Sequence, residues 1–565
     1  MRTGVRFAIV IALSLAPASL HATSATVPSD YPTLPAAIAS GVDTVFVKDG
    51  TYPDSIQIAR GLVLLPAPSA VLPPALHLLA YPTVGSITIV PGDFAVVVRD
   101  LHVNGYVRQT SPISVSKATT FEACRIDSGM IVGGNANFGG LSLRGCLVFG
   151  ELFAWIYYPD ISGCTIVGSL VVQAHGIGLV RGNFVTGPGS AGISVCCQDG
   201  QPAVIDNRVV GATNGIVAEE PTYVATNTIE DCSQAGILMR GTAAGQFSIN
   251  NNVVRRSGTN GIEGAPGARG IADIGGNQIE DAKADGITPG AINALIEDNV
   301  VLRSGPRGIE ATSGWPVIEN RVLDSGAEGI AVTRSACQSN VIGRSGGTGL
   351  LTTDEATPIS QNTSYLNGGD GFRLAGSGAD TASKNVAYKN GGVGLAWVGT
   401  GSPHLECNDW FGNTGGATSG ISPGATDLAL DPLFCNPAID DVSLSHVSAL
   451  LDAPGCGLIG ALGEGCGYPA AVGDGRPSAI LGLEVSPTPA GGTVRFAWSR
   501  LSQTAELQIY DVTGQRRWSR SITPGVAEVR WDGRGADGAA LAPGIYFAKI
   551  TVGGKALTQR VVLIR

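Results

Sequence analysis

Two consecutive units decide the fold of this chain: Asn252-Val-Val-Arg-Arg-Ser-Gly-Thr-Asn-Gly261-Ile and Asn277-Gln-Ile-Glu-Asp-Ala-Lys-Ala-Asp-Gly286-Ile. In each unit, Val or Ile follows two residues after the Asn, and Gly-Ile begins nine residues after it. The Asn unit recurs every 20 to 25 residues, with further copies at Asn183, Asn207, Asn227, Asn299, Asn320 and Asn340 and looser ones at Asn362 and Asn385. A fixed offset inside a variable period indicates a rigid half-coil joined by loops of variable length.

The repeat predicts short strands and tight turns that stack into a parallel solenoid. Because side chains alternate along a strand, the Val or Ile points inward, and stacking at about 4.8 Å lets neighbouring coils bury their apolar faces. The Asn amides are then expected to form a hydrogen-bonded ladder. Cysteine holds the same slot upstream, at Cys124, Cys146 and Cys164, and Cys407 extends the series downstream. We therefore predict an all-β solenoid of about fifteen coils with these cysteines in its core.

Composition and the N-terminal segment bound the class of protein. The 565 residues carry a formal net charge of −10, which gives no basic field for phosphate and excludes nucleic-acid binding. Residues 1–25 have the pattern of a secretory signal peptide, in which Arg2 and Arg6 precede the apolar run Phe7 to Leu15. No later run reaches the about 20 apolar residues of a membrane helix. The mature chain is expected to be secreted or held at the outer cell surface, without a transmembrane span.

These units resemble the right-handed parallel β-helix repeat family, the pectate-lyase-like superfamily, over residues 26–467. The entry segment Val27-Pro-Ser-Asp-Tyr-Pro-Thr33, a helical stretch to Ser40 and the strand Asp43-Thr-Val-Phe-Val47 are similar to the start of that family, where the helix caps the open end of the solenoid. Such a cap prevents exposure of the first coil's core and strand edge.

The C-terminal end of the repeat also resembles that family. Its closure contains Asp431-Pro-Leu-Phe-Cys435 and the segment Cys456 to Cys466. The resemblance implies disulfides that join Cys407 to Cys435 and Cys456 to Cys466 as a staple for this end. The spacing does not determine the connectivity, which stays open at this point.

A second domain follows the solenoid. Residues 468–479 are rich in Ala, Gly, Pro and Ser and are predicted to be a linker. Residues 480–565 alternate as strands of a small antiparallel Ig-like β-sandwich. The segments Ser486-Pro-Thr-Pro489, Ile509-Tyr-Asp-Val-Thr-Gly514, Trp531-Asp-Gly533 and Pro543-Gly-Ile-Tyr546 resemble the flagellar hook-assembly Ig-like domain and the type IX secretion sorting domain. The resemblance implies attachment or handling by secretion machinery; an Ig-like spacer without a sorting role is the alternative.

Opposite charges alternate in one column of the predicted stack. Four residues after the Asn, successive coils carry Asp231, Arg256, Asp281, Arg303, Asp324 and Arg344. Each pair contributes only about 0.2 to 1 kcal/mol, but a slip by one coil would place like charges together. The column is therefore predicted to enforce register. As an alternative, Asp281 and Arg303 are candidate ligand-binding residues.

A second polar column supplies the catalytic candidates. Eight residues after the Asn, the coils carry Asn260, Asp285, Arg307, Glu328, Thr348 and Asp370, and Glu280 and Glu310 lie nearby. Asp285, Arg307 and Glu328 are the candidate catalytic residues, in a patch that suits polysaccharide or Ca²⁺. The chain lacks the Gly-His-Gly, Arg-x-Lys and Arg-x-Pro-x-x-Arg motifs of the pectinases. Its six histidines have no metal spacing, so no metal ligand is assigned.

Aromatic residues offer a third candidate surface. Tyr365, Tyr388 and Trp410 are predicted to align on consecutive coils, where their rings could stack against sugars. Packing under a loop is the competing interpretation. Trp155, Tyr157 and Tyr158 form another aromatic cluster with the same two interpretations.

Two functional hypotheses remain open. The first is an exported surface β-helix that binds polysaccharide or a surface partner without catalysis, which the neutralised charges and missing motifs favour. The alternative is a Ca-dependent polysaccharide lyase or glycoside hydrolase of the pectate-lyase-like superfamily. The fold alone does not choose between them.

Overall fold

A computed structural model gives the architecture of residues 23–68, 82–90, 92, 94–109, 118–133, 139–197, 200–241, 245–312, 314–354, 358–377, 381–466, 483–486, 493–498, 504–511, 515–523, 526, 528–542, 544–552 and 555–563. The predicted linker 468–479 and nearly all of the predicted signal peptide lie outside these residues. The chain divides into two compact units, Met1–Gly465 and Cys466–Arg565.

The first unit is a parallel β-helix of about 18 turns, in which three parallel sheets surround one apolar core. Sheet 1 consists of Ser24–Val27, Thr44–Val47, Leu62–Pro66, Val96–Arg99, Ala118–Glu122, Gly140–Arg144, Tyr158–Ser162, Leu179–Arg181, Ala203–Ile205, Tyr223–Ala225, Gln246–Asn250, Ile271–Gly275, Asn293–Glu297, Val317–Ile318, Cys337–Gln338, Ile359–Ser360, Thr381–Ser383 and His404–Glu406.

The strands of sheet 2 begin directly after the slot position, which holds Asn from Asn183 onwards. Its strands are Thr51–Tyr52, Thr83–Val84, His102–Val103, Arg125–Ile126, Leu147–Phe149, Thr165–Val167, Phe184–Thr186, Arg208–Val210, Thr228–Glu230, Val253–Arg255, Gln278–Glu280, Val300–Leu302, Arg321–Leu323, Val341–Gly343, Thr363–Tyr365, Val386–Tyr388 and Asp409–Phe411.

Sheet 3 completes each coil. Its strands are Ile56–Ile58, Ile87–Ile89, Val107–Gln109, Met130–Gly133, Leu152–Ile156, Leu170–Ala174, Ala191–Cys197, Asn214–Ala218, Ile237–Met239, Ile262–Gly264, Ile287–Thr288, Arg307–Ala311, Glu328–Val332, Leu350–Thr352, Phe372–Leu374, Leu395–Trp397 and Thr418–Ser419. The solenoid prediction is confirmed, but the turns outnumber the fifteen predicted, because the first coils carry neither Asn nor Cys in the slot.

The Asn ladder forms as predicted. Asn252 donates from its backbone nitrogen (2.9 Å) and from Nδ2 (3.0 Å) to Oδ1 of Asn277, and its Nδ2 also donates to the Val224 carbonyl (2.9 Å). These slot residues are buried, so each amide satisfies backbone groups that water cannot reach. Asp427 ends the ladder by accepting both the backbone and the side-chain N–H of Asn408 at 3.0 Å.

The prediction for Cys407 is wrong. Asn385 donates to Oδ1 of Asn408, at 3.0 Å, so Asn408 holds the ladder slot and Cys407 precedes it. That preceding position is left-handed in coil after coil, with φ of 53° at Asp298 and 57° at Cys407. The register is set by the next strand, whose Asp409 pairs with Val386.

A helix closes the N-terminal end. Leu34–Ala39 begins after Thr33, whose Oγ1 accepts the Ala36 N–H at 3.3 Å. Its residues Leu34 and Ala37 are buried in the solenoid core. The helical segment predicted before Ser40 therefore covers the first coil.

The C-terminal end is covered by a segment that we name the flap, residues 428–462. It contains the strands Phe434–Asn436 and Asp441–Ser445 and the short 3₁₀ helix Pro437–Ile439; Glu464–Cys466 completes their sheet. The flap buries Val442, Leu444 and Ile459 against the outer face of sheet 2. It is tied down by a disulfide between Cys407 and Cys456, so the predicted pairings of Cys407 with Cys435 and of Cys456 with Cys466 are wrong. Cys435 and Cys466 are also disulfide-bonded.

The second unit consists of antiparallel sheets. Leu483–Ser486, Val494–Trp498 and Glu528–Trp531 form one sheet, and Arg516–Ile522, Ala505–Asp511, Gly544–Val552 and Lys555–Leu563 form the other. Both contribute to one apolar core that contains Phe496, Ile509 and Trp531. The Ig-like assignment stays a prediction, and parts of its motifs, such as Pro489, Gly514 and Pro543, lie outside the described residues.

Candidate functional site

The alternating charge column forms discrete ion pairs at the turn after sheet 2. Arg303 binds Asp281 through two hydrogen bonds, from Nε to Oδ1 at 2.6 Å and from Nη2 to Oδ2 at 3.1 Å. The hydrogen bond from Arg303 lowers the pKa of Asp281. Arg256 binds Asp231 and Arg344 binds Asp324 in the same bidentate way. Asp281 and Arg303, predicted as ligand-binding, thus contact each other.

The predicted catalytic residues do lie together. We name Asp285, Arg307, Glu310 and Glu328 the polar cluster. Oδ1 of Asp285 accepts the backbone N–H of Arg307 at 3.0 Å, and Nε of Arg307 lies 3.8 Å from Oε2 of Glu328. Arg307 also pairs with Glu310, whose other carboxylate oxygen accepts a hydrogen bond from Thr288 at 3.2 Å. The one guanidinium therefore serves more than one carboxylate.

Asp285 differs from the other carboxylates of the polar cluster. Burial raises the pKa of Asp285, and the nearby charge of Glu310 raises it further, against the opposing effect of Arg307. A half-buried carboxyl with a raised pKa can hold a proton closer to neutral pH than an exposed one. In the described part of the chain, no three His, Cys, Asp or Glu side chains are arranged to hold a metal ion.

The two tyrosines of the predicted aromatic column lie under the flap. Tyr365 pairs in register with Tyr388, and Tyr388 with Phe411 rather than with Trp410. The rings of Tyr365 and Tyr388 are buried under the flap, where the Tyr365 hydroxyl donates to Asp440 at 2.9 Å and Tyr388 meets Phe434 edge-on. The competing interpretation, packing under a loop, is confirmed for these two tyrosines.

Trp410 does not belong to the outward-facing column of Tyr365 and Tyr388, because Asn408 and not Cys407 holds the ladder slot. Since Asn408 holds the slot, the third residue after it is Phe411, and Trp410 points into the core. Its Nε1 donates to Oδ2 of Asp427 at 2.9 Å. Trp410 is therefore buried in the core and does not lie on the outer face with Tyr365 and Tyr388.

The second aromatic cluster lies where the sheet 3 strand Leu152–Ile156 ends and the sheet 1 strand Tyr158–Ser162 begins. Trp155 donates from Nε1 to Nε2 of His175 at 2.9 Å, and the imidazole plane is within 15° of the planes of Trp155 and Tyr157, with its centroid 6.4 Å from that of each ring. Tyr158 meets Tyr157 edge-on at 4.7 Å and is 50% exposed. These rings are held in place and partly open to solvent.

A groove on the outer face of sheet 3 was missed by sequence reasoning. Its volume is about 560 Å³, and its walls include Val171, Gln173, Cys196, Glu219, Glu220 and Arg240. Gln173 and Cys196 lie in register with Trp155, one and two coils further along. The only sequence signal was outward alternation in the strands of sheet 3, which does not reveal a concave surface.

Comparison with known families finds one match in each unit. A family described as "Right handed beta helix region" matches residues 267–410, and one described as "Secretion system C-terminal sorting domain" matches residues 484–564. The chain is a right-handed parallel β-helix protein with a C-terminal type IX sorting domain. The sorting domain indicates handling by the type IX secretion machinery and export to the cell surface or extracellular space. No helix in the described ranges has the length and apolarity needed to cross a membrane.

Solved structures give short or weak matches. PorZ of Porphyromonas gingivalis, a surface component of the type IX secretion system, matches with 29% identity over 15% of this chain and 12% of its own, at a TM-score of 0.13. PorU of the same organism matches with 18% identity over 16% of this chain and 10% of its own, at a TM-score of 0.14. Tailspike protein 2 of bacteriophage CBA120 matches with 11% identity over 84% of this chain and 72% of its own, at a TM-score of 0.19. The chain thus spans about an eighth or less of PorZ and PorU. No curated protein matches it significantly.

Proposed function

We propose that the solenoid binds polysaccharide at the cell surface without cleaving it. In this proposal, a signal peptide at residues 1–25 directs entry into the export pathway, and the sorting domain completes delivery to the surface. The observation that carries the proposal is the pairing of the candidate carboxylates with arginines, above all the bidentate pair of Asp281 with Arg303.

The pairing with arginine argues against general acid–base chemistry by most of the candidate carboxylates. A catalytic carboxylate must reach the substrate and exchange a proton with it. Asp281 has a lowered pKa and both of its oxygens engaged by Arg303. Glu310 and Glu328 share Arg307. These contacts suit a stack that keeps its register and presents a neutralised surface.

Asp285 favours the enzyme as the second candidate. Its raised pKa is the property expected of a general acid, and Arg307 and two further carboxylates lie beside it. In this alternative, Asp285 protonates a leaving group or Arg307 binds a uronate carboxylate, and Ca²⁺ supports substrate binding.

Turnover assays separate the two candidates. The purified mature chain is incubated with uronate and neutral polysaccharides, with and without Ca²⁺, while reducing ends and the ultraviolet absorbance of unsaturated products are followed. The proposal expects retention on an immobilised polysaccharide and no product. Product formation that Asp285→Ala abolishes, while Asp281→Ala retains it, would establish the enzyme.

A further inference from the structure

The groove on sheet 3 has a composition that restricts its ligand. Val171 lies on the outer face between Phe153 and Ser194 in successive coils, so apolar and hydroxyl groups alternate there. Gln173, two residues further along the same strand and on the same face, supplies an amide that can both donate and accept hydrogen bonds. A surface with apolar and amide groups side by side suits the mixed faces of a sugar ring.

The charged residues of the groove leave one carboxylate in excess. Arg240 pairs with Glu219 through Nη1 and Oε1 at 3.2 Å. Glu220 follows Glu219 and also lines the groove; its Oε2 is shielded from solvent and accepts no hydrogen bond among the described residues. The Glu220 carboxylate therefore keeps an uncompensated negative charge beside the groove, and a ligand that brings an ammonium or hydroxyl group next to it gains free energy. A ligand carboxylate would instead be repelled.

An aromatic ring lies beside the groove at a fixed orientation. Trp155 pairs in register with Gln173, so the indole lies one coil, about 4.8 Å, from the groove wall. The hydrogen bond to His175 and the parallel imidazole hold the indole, which restricts its rotation. A rigid indole costs little conformational entropy when a sugar stacks on it.

We infer that this groove binds a polysaccharide without carboxylate groups, with a sugar ring stacked on Trp155 and a hydroxyl or amine donor directed at Glu220. The inference rests on the proposed function and names its site and ligand class. Gln173 completes the recognition from the same side as Trp155. The polar cluster, which lies where the sheet 3 strands Arg307–Ala311 and Glu328–Val332 begin, takes no part in it.

Affinity electrophoresis of the full chain tests the inference. The probes are dextran, which is neutral, chitosan, which carries amines, and polygalacturonate, which carries carboxylates. The wild type is expected to be retarded by dextran or chitosan and not by polygalacturonate. Trp155→Ala should weaken binding by about tenfold or more, since it removes the stacking surface. Tyr223→Ala, which removes a 41% exposed aromatic on sheet 1, is the matched control and should not change binding.

Glu220→Gln keeps the shape and removes the charge. It should weaken chitosan binding more than dextran binding and leave the thermal midpoint unchanged or raised. Thermal midpoints of all variants separate loss of a contact from loss of the fold. Retardation by polygalacturonate alone, or binding that survives Trp155→Ala, would overturn the inference and leave the proposed function standing. Absence of retardation by all three probes would overturn the proposed function itself.

Discussion

From Cys124 to Asn408, the slot at the start of each sheet 2 strand is filled in two different ways. From Asn183 to Asn408 it holds amides that bond to one another and to backbone carbonyls; Asn299 Nδ2, for example, donates to Asn320 Oδ1, Ile274 and Glu297. From Cys124 to Cys164 it holds buried thiols. Cys164 contacts the Leu143 and Ser162 carbonyls only at 3.5 and 3.4 Å.

The difference teaches that a buried side chain without strong hydrogen bonds can fill the slot, while the amide adds hydrogen bonds. A thiol behaves as a small hydrophobe with weak donor strength, whereas an amide satisfies several buried groups at once. The Asn part of the solenoid, whose slot residues run from Asn183 to Asn408, also has a closed end. Asp427 completes its ladder, and the Cys407–Cys456 disulfide holds the flap over it. The Asn part is therefore expected to dominate the unfolding free energy.

Removing one ladder amide should have the largest effect. Asn277→Ala leaves the backbone and side-chain N–H groups of Asn252 and the Ile249 carbonyl without their partner. We expect a loss of about 4 kcal/mol in unfolding free energy, measured by urea denaturation, because each orphaned buried group costs about 1–3 kcal/mol. Asn293→Ala, at an exposed position of sheet 1, is the control. Equal effects of the two variants would contradict the ladder's role.

Opening the flap should come next. The disulfide between Cys407 and Cys456 spans 49 residues. Replacement of both by Ser should cost about 3 kcal/mol, the usual range for a loop of this kind. It should also expose Tyr388, which limited proteolysis and tyrosine modification would detect. An unchanged cleavage pattern would show that apolar packing alone holds the flap.

The carboxyl of Asp409 should make the closed end sensitive to pH. Asp409 is buried, its Oδ1 accepts the Leu430 N–H at 2.8 Å, and burial raises its pKa to about 7. The unfolded chain releases this proton near pH 4, so the contribution of Asp409 to stability is greatest below that pH and falls as the pH rises towards 7. We expect that contribution to decrease by about 3 kcal/mol between these limits.

Asp409→Asn is the test of this dependence. The amide keeps an acceptor for Leu430 and does not titrate, so the thermal midpoint of the wild type should fall relative to that of the variant as the pH rises from 4 to 7. Asp427 and Asp431, whose charges act on Asp409, are present in both the wild type and the variant. A wild-type midpoint that rises from pH 4 to pH 7 faster than that of the variant would contradict the assignment.

A substitution at a slot that holds Cys should lower the unfolding free energy less than a substitution at a slot that holds Asn. Cys146→Ala removes one buried atom that makes a weak contact of 3.5 Å to the Arg144 carbonyl. The expected loss is about 1 kcal/mol by urea denaturation, the cost of a small cavity. A loss as large as that of Asn277→Ala would remove the distinction between the two parts.

The surface ion pairs should matter least. Asp281→Ala breaks the bidentate pair with Arg303, whose side chain is about half exposed. The expected change in unfolding free energy is about 0.5 kcal/mol at low salt, and it should shrink at high salt because exposed pairs are screened. A salt-independent loss of several kcal/mol would assign this pair to the structural framework beside the ladder.

The candidate site was only partly predictable. The repeat spacing placed Asp285, Arg307 and Glu328 in one column, and the structure brings them together, since equal offsets in stacked coils become neighbours. The same reasoning failed at Trp410, because Cys407 and Asn408 are adjacent and either could occupy the slot. The disulfide pairing failed for a related reason: the path of residues 428–462 contains no repeat.

The sequence by itself determined the parallel β-helix, the Asn ladder, the inward strand positions and the resemblance of the C-terminal segment to a sorting domain. These follow from local periodicity and short motifs, because one coil repeats the packing of the next. Only the tertiary structure decided that the flap buries Tyr365 and Tyr388, that Cys407 pairs with Cys456, and that sheet 3 has a groove beside Trp155. These features depend on how a non-repeating segment folds back and on the shape that several coils make together, which no single repeat encodes.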